Sequence, residues 1–306
     1  MKNTPKGFFI LGIILCLFPF VNSVIALSLG ILYALFFVNP YENFTNKSTN
    51  LLLKISIVGL GFGMNIHEAL KVGKEGLFLT IFSIALTLTL GYFLGKKFNI
   101  QGKTAFLISV GTAICGGSAI AAIAPLLKIK QDQISLALGI VFLLNAVALF
   151  LFPVIGHFFM LSENQFGIWA AIAIHDTSSV IGAASQYGDE ALKIATTVKL
   201  SRALWIIPLA LVTSYKMRSE QKIQIPYFIL FFILAILFNS YYPIPALTSV
   251  LTFLSKKGLV VVLFLIGTKL TLATIKKTGF KIFAYGLSIW VCIAAVSLWI
   301  ICQTNN

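Results

Sequence analysis

Apolar segments separated by proline, glycine, asparagine or charged residues follow one another along the whole chain. A helix that crosses a bilayer needs about 17–25 mainly apolar residues. The segments that approach this length are residues 7–20, 22–38, 50–66, 76–95, 104–127, 132–158, 166–187, 190–214, 226–240, 254–270 and 279–302. The pattern predicts an all-α integral membrane protein with about eleven transmembrane helices in a single unit over residues 1–306.

The segment 104–127 contains residues that weaken a helix near its middle. The stretch GTAICGGSAIAAIAP places Gly116 and Gly117 between Cys115 and Ser118. Each glycine costs a helix interior about 0.8–1.0 kcal/mol relative to alanine. Small residues also suit close helix packing in lipid. The clustering favours a discontinuous helix, whose free amides and positive N-terminal end could face an anion.

The segments 166–187 and 190–214 carry charge inside otherwise apolar sequence. Counted from the turn near Gly188, Asp176 lies twelve residues back, while Lys199 and Arg202 lie eleven and fourteen residues forward. In antiparallel neighbours with equal rise per residue, these three groups share one depth. Ionisable groups at such a depth usually face a partner or a watery cavity and are functional.

A second pair of segments repeats this arrangement. Counted from a turn near Lys130, Cys115 lies fifteen residues back and Asn145 fifteen residues forward. The sequence therefore predicts a core of two hairpins, approximately 104–158 and 166–214, with polar layers near the midplane. The remaining helices would form a panel around them.

Two cations and one carboxylate leave one positive charge uncompensated, which is costly inside a membrane unless a ligand completes it. We therefore expect an anion-binding site, with Arg202 suited to bidentate contact with an oxyanion. The alternative is a buried ion pair that only fixes helix packing. The candidate substrate-binding residues are Arg202, Lys199, Asp176, Thr177, Ser178, Ser179, Cys115, Gly116, Gly117, Ser118 and Asn145.

Asp176 and His175 are candidates for carrying a coupling proton, although His175 could equally be a packing histidine bonded to a carbonyl. Lys54 and Lys269 lie nearer the ends of their segments. We expect their side chains to extend to the interface. We therefore rank them below Lys199 as site residues.

The composition is 58% hydrophobic and only 10% charged, whereas a soluble domain has about 25% charged residues. The net charge of +14 comes from short basic clusters between apolar segments. Such clusters orient a membrane protein and attract anionic lipids, and they do not indicate nucleic-acid binding. Their distribution predicts a cytoplasmic N-terminus. The four cysteines and three histidines are scattered, so neither a metal site nor another cofactor is expected.

Weak internal similarity relates residues 53–72 to residues 257–276, with Gly63 over Gly267 and Ala69 over Ala273. These segments belong to the third and tenth predicted helices, which would run in opposite directions. That relation is typical of an inverted repeat in a transporter.

The chain resembles the YeiH-like sulfate exporter family of bacterial inner-membrane proteins. The motifs that carry this resemblance span nearly the whole sequence: GLGFGMN at 59–65, GTAICGGSAIAAIAPLLK at 111–128, HDTSSVIGAA at 175–184, TVKLSRALWIIP at 197–208 and LFLIGTKLTL at 263–272. The resemblance implies a secondary transporter of small sulfur-containing or other inorganic anions. It also implies a plan similar to the sodium/proton antiporter and bile-acid transporter folds, with interrupted helices.

The predicted function is secondary active transport of a small anion, such as sulfate or a sulfonate, by alternating access. Its partners would be the anionic solute and the lipid bilayer, and a homodimer is left open. A cation antiporter that uses Asp176 is the first alternative, and a membrane scaffold or receptor is the second. The chain has no G-x-S-x-G or H-E-x-x-H motif. We therefore do not expect an enzyme.

Overall fold

The computed structural model describes residues 4–127, 129–217, 227–269 and 280–303, and every regular element in these ranges is an α-helix. The helices are α1 (Thr4–Leu17), α2 (Ser23–Phe36), α3 (Glu42–Gly61), α4 (Ile66–Lys97), α5 (Gly102–Ala113), α6 (Gly117–Leu127), α7 (Gln131–Phe158), α8 (Glu163–Ala173), α9 (Thr177–Tyr187), α10 (Asp189–Ala203), α11 (Ile206–Met217), α12 (Tyr227–Tyr241), α13 (Pro245–Gly267) and α14 (Phe280–Gln303).

The long apolar helices identify a multi-pass membrane protein. Within the described residues, five stretches have the length and composition to cross a bilayer: Gly76–Lys97, Asp132–Phe158, Asp189–Met217, Pro245–Gly267 and Phe280–Gln303. A sixth results if Lys47–Gly61 and Ile66–Gly73, which meet at 111°, are counted as one broken span. Large apolar side chains face outward on these helices, as expected for a surface in contact with lipid.

The predicted break in the segment 104–127 is confirmed, because α5 ends at Ala113 and α6 begins at Gly117. The segment does not cross the membrane, however. The Gln101 side chain, just before α5, is hydrogen-bonded to that of Gln133 in the first turn of α7. Helix α5 therefore begins at the same level as α7, and α6 must return to that level. We call the re-entrant unit α5–α6 hairpin A.

The segment 166–187 folds in the same way. The Glu163 carboxylate at the start of α8 accepts hydrogen bonds from the backbone amides of Glu190 (2.9 Å) and Ala191 (3.0 Å) at the start of α10. At the end of α9, the Tyr187 hydroxyl donates to the Leu161 carbonyl at 2.6 Å. Both ends of α8–α9, which we call hairpin B, therefore lie at one level. The prediction that segments 104–127 and 166–187 are transmembrane helices is wrong.

The two hairpins enter from opposite sides. Hairpin A ends where α7 begins, and the length of α7 suffices to cross the whole bilayer, so hairpin B starts on the far side. The arms of both hairpins are less than half as long as α7. At about 1.5 Å per residue, each arm reaches only about half-way through a hydrocarbon core of about 30 Å. The two tips therefore meet near the middle.

The remaining helices pack against this core. Gly59 of α3 lies against Ser255 of α13, and Gly258 of α13 lies against Ser56 of α3, so the two helices are antiparallel. An inverted repeat of residues 53–72 and 257–276 requires this relation. Residues 270–276, including Ala273, lie outside the described residues, and the repeat stays a prediction.

The re-entrant fold of hairpin A predicts that Gln101 and Gln133 lie on the same side of the membrane. In a variant whose four native cysteines are replaced, single cysteines at Gln101 and Gln133 should be labelled by an impermeant maleimide from one side only. A cysteine at Glu163 should be labelled only from the opposite side. Labelling of Gln101→Cys and Gln133→Cys from different sides would show that the segment crosses the bilayer.

Candidate functional site

The tips of the two hairpins touch each other. Gly116, at the tip of hairpin A, has φ +60°. This conformation costs other L-residues about 1–2 kcal/mol. A Cβ atom at this glycine would lie 3.3 Å from the Cα of Asp176 at the tip of hairpin B. Glycine is therefore favoured here both by the backbone turn and by the close approach of the tips.

Lys199 and Arg202 on α10 donate hydrogen bonds to the carbonyl ends of α5 and α8, the first arms of the two hairpins. The Lys199 ammonium donates to the carbonyls of Ala171 (3.1 Å) and Ile174 (2.6 Å) at the end of α8. Arg202 reaches both hairpins: Nε donates to Ala113 O at 2.6 Å and Nη1 to Ile172 O at 3.1 Å. Both side chains are fully buried.

These contacts change the charge balance expected from the sequence. The end of a helix where carbonyls are free carries the equivalent of about −0.5 charge. Together, the ends of α5 and α8 and the carboxylate of Asp176 supply about two negative charges against the two cations. The positive charge left over in the count of side chains is thus offset by backbone dipoles. In this structure Lys199 and Arg202 are bound to backbone carbonyls, and their predicted contact with an anion stays a prediction.

Asn145 in the middle of α7 holds the tip of hairpin B. Its side-chain oxygen accepts hydrogen bonds from the backbone amides of His175 (3.0 Å) and Asp176 (3.3 Å). The sequence placed Asn145 opposite the glycine break, whereas these bonds are to the other tip. Asn145 thus binds the hairpin that does not precede its own helix, and Arg202 binds both hairpins.

Asp176 is the N-cap of α9. Its carboxylate accepts a hydrogen bond from the Ser178 amide at 3.1 Å and another from the Ser178 hydroxyl. His175 is buried beside Trp290, with ring centroids 6.4 Å apart, and its ring nitrogens make no hydrogen bond to the described residues. Thr177 and Ser179 are also buried. Ser178 is buried as well, so the polar tip of hairpin B presents mainly Asp176, which is half-buried.

A cavity of about 1280 Å³ lies against α6 and α9, the second arms of the two hairpins. Of the residues singled out from the sequence, Gly117, Ser118, Asp176 and Ser178 line it, and all four belong to the N-terminal ends of α6 and α9. The others are not among its described lining residues: Lys199, Arg202, Cys115, Gly116, Thr177, Ser179, Asn145 and His175.

Two lysines that the sequence analysis ranked lower do line the cavity. Lys54 on α3 is exposed to it, and Lys269, just beyond α13, is half-buried with its ammonium 3.3 Å from the Thr49 hydroxyl. Both lysines are charged residues within apolar segments of the sequence, and this pattern alone marks them as candidate site residues. Their tertiary position decides their role, because α3 and α13 face the hairpin tips across the cavity.

Comparison with known proteins identifies the family. Residues 11–286 match the family model described as Conserved hypothetical protein 698. A UPF0324 membrane protein of Bacteroides thetaiotaomicron is 50% identical over 282 residues, covering 91% of this chain and 86% of the relative. One of Vibrio parahaemolyticus is 48% identical over 308 residues, covering 98% of each chain, and one of Geobacter sulfurreducens is 43% identical over 298 residues, covering 97% and 96%.

The chain belongs to the UPF0324 membrane protein family. The family resemblance seen in its glycine-rich and lysine–arginine motifs is thereby confirmed. No solved structure matches the chain. Similarity to the antiporter and bile-acid transporter folds therefore stays a prediction, and for this UPF0324 protein the re-entrant hairpins are the features on which a function can be argued.

Replacing Lys199 should destabilise this UPF0324 protein. In Lys199→Met the aliphatic stem is retained, but two buried carbonyls at the end of α8 lose their donor, which should cost on the order of 2–4 kcal/mol. The melting temperature of the detergent-solubilised protein should fall accordingly. Lys193→Met, an exposed position on the same helix, is the matched control and should melt like the parent. An unchanged melting temperature in Lys199→Met would contradict the anchoring role.

Proposed function

We propose that this protein is a secondary transporter that moves a small anion across the bacterial inner membrane by alternating access. The observation that carries the proposal is the cavity at the hairpin tips, which is lined by two helix N-termini and two lysines. The named relatives are described only as membrane proteins, so transport and its substrate rest on this geometry.

The net charge of the groups that line the cavity favours an anion as the ligand. Each N-terminal helix end carries the equivalent of about +0.5 charge and free amide donors, and such ends bind anions. The ends of α6 and α9 both reach the cavity, and Lys54 and Lys269 face the same space. Against them stands the Asp176 carboxylate, which is already bound by Ser178. The positive groups therefore exceed the negative one.

The predicted role of Lys199 and Arg202 is revised in this proposal. They contribute to anion binding indirectly, because they neutralise the carbonyl ends of α5 and α8 and so hold the amide ends of α6 and α9 at the cavity. The cavity that reaches the tips favours a transporter over a plain scaffold, in which no cavity would reach them.

The proposal includes an inverted-repeat core. Hairpin A with α7, and hairpin B with α10 and α11, are two similar units that enter from opposite sides, as alternating-access transporters require. With hairpin A re-entrant, Lys130 joins the side that holds Lys96, Lys97 and Lys103. This strengthens the basic bias toward one side and supports a cytoplasmic N-terminus.

The first test is a thermal-shift screen of the purified protein against sulfate, sulfite, thiosulfate, sulfonates and carboxylates. A bound anion stabilises the fold by about 2.7 kcal/mol at a concentration of 100 times Kd. We expect selective stabilisation that Lys54→Gln weakens at least tenfold in apparent affinity. Lys96→Gln, an exposed lysine outside the cavity lining, is the control. If no anion stabilises the parent protein, or Lys54→Gln responds like the parent, the proposed site is wrong.

The position of Asp176 at the cavity keeps cation antiport as the second candidate. Asparagine is as good an N-cap as aspartate, so Asp176→Asn keeps the cap of α9 and removes only the charge. If Asp176 carries the coupling ion, this variant should bind anions but lose pH-dependent uptake in proteoliposomes. Cation transport by the parent protein that is abolished in Asp176→Asn and needs no anion would favour the antiporter. Full coupled uptake by Asp176→Asn would remove Asp176 from either mechanism.

A further inference from the structure

We infer that the anion has an apolar body: the substrate is an organic sulfonate, carboxylate or similar amphipathic anion, in preference to a bare inorganic oxyanion. This inference rests on the proposed function, since it names the substrate class of the same cavity. It is carried by the size of the cavity and by the separation of its charged and apolar walls.

The cavity is far larger than an inorganic oxyanion. A water molecule occupies about 30 Å³ in the liquid, and a tetrahedral oxyanion needs the room of only a few waters. Pockets for organic ligands are typically about 300–1000 Å³. The volume here is about 1280 Å³. A bare sulfate would leave most of this space to water lying against apolar walls.

The walls of the cavity differ in chemistry. The hairpin tips, Lys54 and Lys269 supply charge and hydrogen-bond donors. Helix α12 supplies instead an apolar face that runs for about 15 Å along the helix. That face consists of Phe228, Phe231, Leu234, Ala235 and Phe238. Helix α3 extends the apolar surface with Ile55, Val58 and Phe62.

An amphipathic anion can interact with the charged wall and the apolar wall at the same time. Its charged head would bind at the helix N-termini and Lys54, and its hydrocarbon part would cover the aromatic face of α12. Burial of each additional methylene should then raise affinity by about fourfold until the apolar face is covered. Such an anion could come from the aqueous phase or from the bilayer, and Phe231, which lines the cavity, is 56% exposed.

The experiment is a binding series with n-alkanesulfonates of one to six carbons, with inorganic sulfate as the headgroup reference. Affinities are measured by isothermal titration on the full-length protein in nanodiscs of phosphatidylcholine. We expect Kd to fall about fourfold per methylene over the first several carbons. The n-alcohols of the same length, which lack the charge, should bind at least tenfold more weakly than the corresponding sulfonates.

Two variants test the two ends of the ligand separately. Lys54→Gln should weaken every sulfonate by a similar factor and leave the dependence on chain length unchanged. Phe231→Ala should flatten that dependence and leave methanesulfonate binding unchanged. Phe93→Ala, a similarly exposed residue on α4 that is outside the cavity lining, is the control and should match the parent in both respects.

The results separate this inference from the proposed function. If sulfate and methanesulfonate bind as tightly as hexanesulfonate, and Lys54→Gln weakens them, the anion site stands and the apolar body is wrong. If no anion binds, both are wrong, and equal binding of alcohols and sulfonates would likewise overturn both. Repeating the titration in nanodiscs containing phosphatidylglycerol distinguishes the sources, since competition by this lipid would show that the amphipathic anion enters from the bilayer.

Discussion

The carbonyl ends of two half-helices, α5 and α8, lie in the middle of a membrane protein, where no bulk water can satisfy them. Each unpaired polar group of the backbone costs several kcal/mol in such surroundings. Lys199 and Arg202 supply the donors, with four hydrogen bonds of 2.6–3.1 Å to carbonyls of both hairpins. The re-entrant core depends on these contacts, because without them neither tip could stop at mid-depth.

This arrangement divides the polar groups of the core between structure and binding. Cations occupy the carbonyl ends, where they complete the hydrogen bonding and offset the dipoles. The amide ends of α6 and α9 are thereby left to face the cavity, with Asp176 capping one of them. A strong buried positive charge can thus be structural, while the helix dipoles and two lysines at the cavity give the proposed binding site its positive sign.

The sequence predicted the helical class, the helix break in segment 104–127 and the common depth of Asp176, Lys199 and Arg202. These features follow from local composition and from residue counting along neighbouring helices, and they do not depend on how the remaining helices pack. It could not predict re-entrance, since an apolar segment such as 104–127 reads the same whether it crosses the bilayer or turns back at a weak point. The charge arithmetic could not place Lys199 and Arg202 on backbone carbonyls, because it counted side chains and omitted the partial charges of the free helix ends.

The contacts also indicate which parts would move during the proposed transport. Arg202 binds both hairpins and Gly116 packs on Asp176, so the two tips form one connected unit. The cavity lies between this unit and helices α3, α12 and α13, which is where alternating access would open and close a site. The ion pair between Lys256 of α13 and Asp189 of α10, at 2.5 Å, joins the two parts, and the side chains are 43% and 78% exposed, respectively. Such a pair contributes only about 0–1 kcal/mol and would hardly resist the motion.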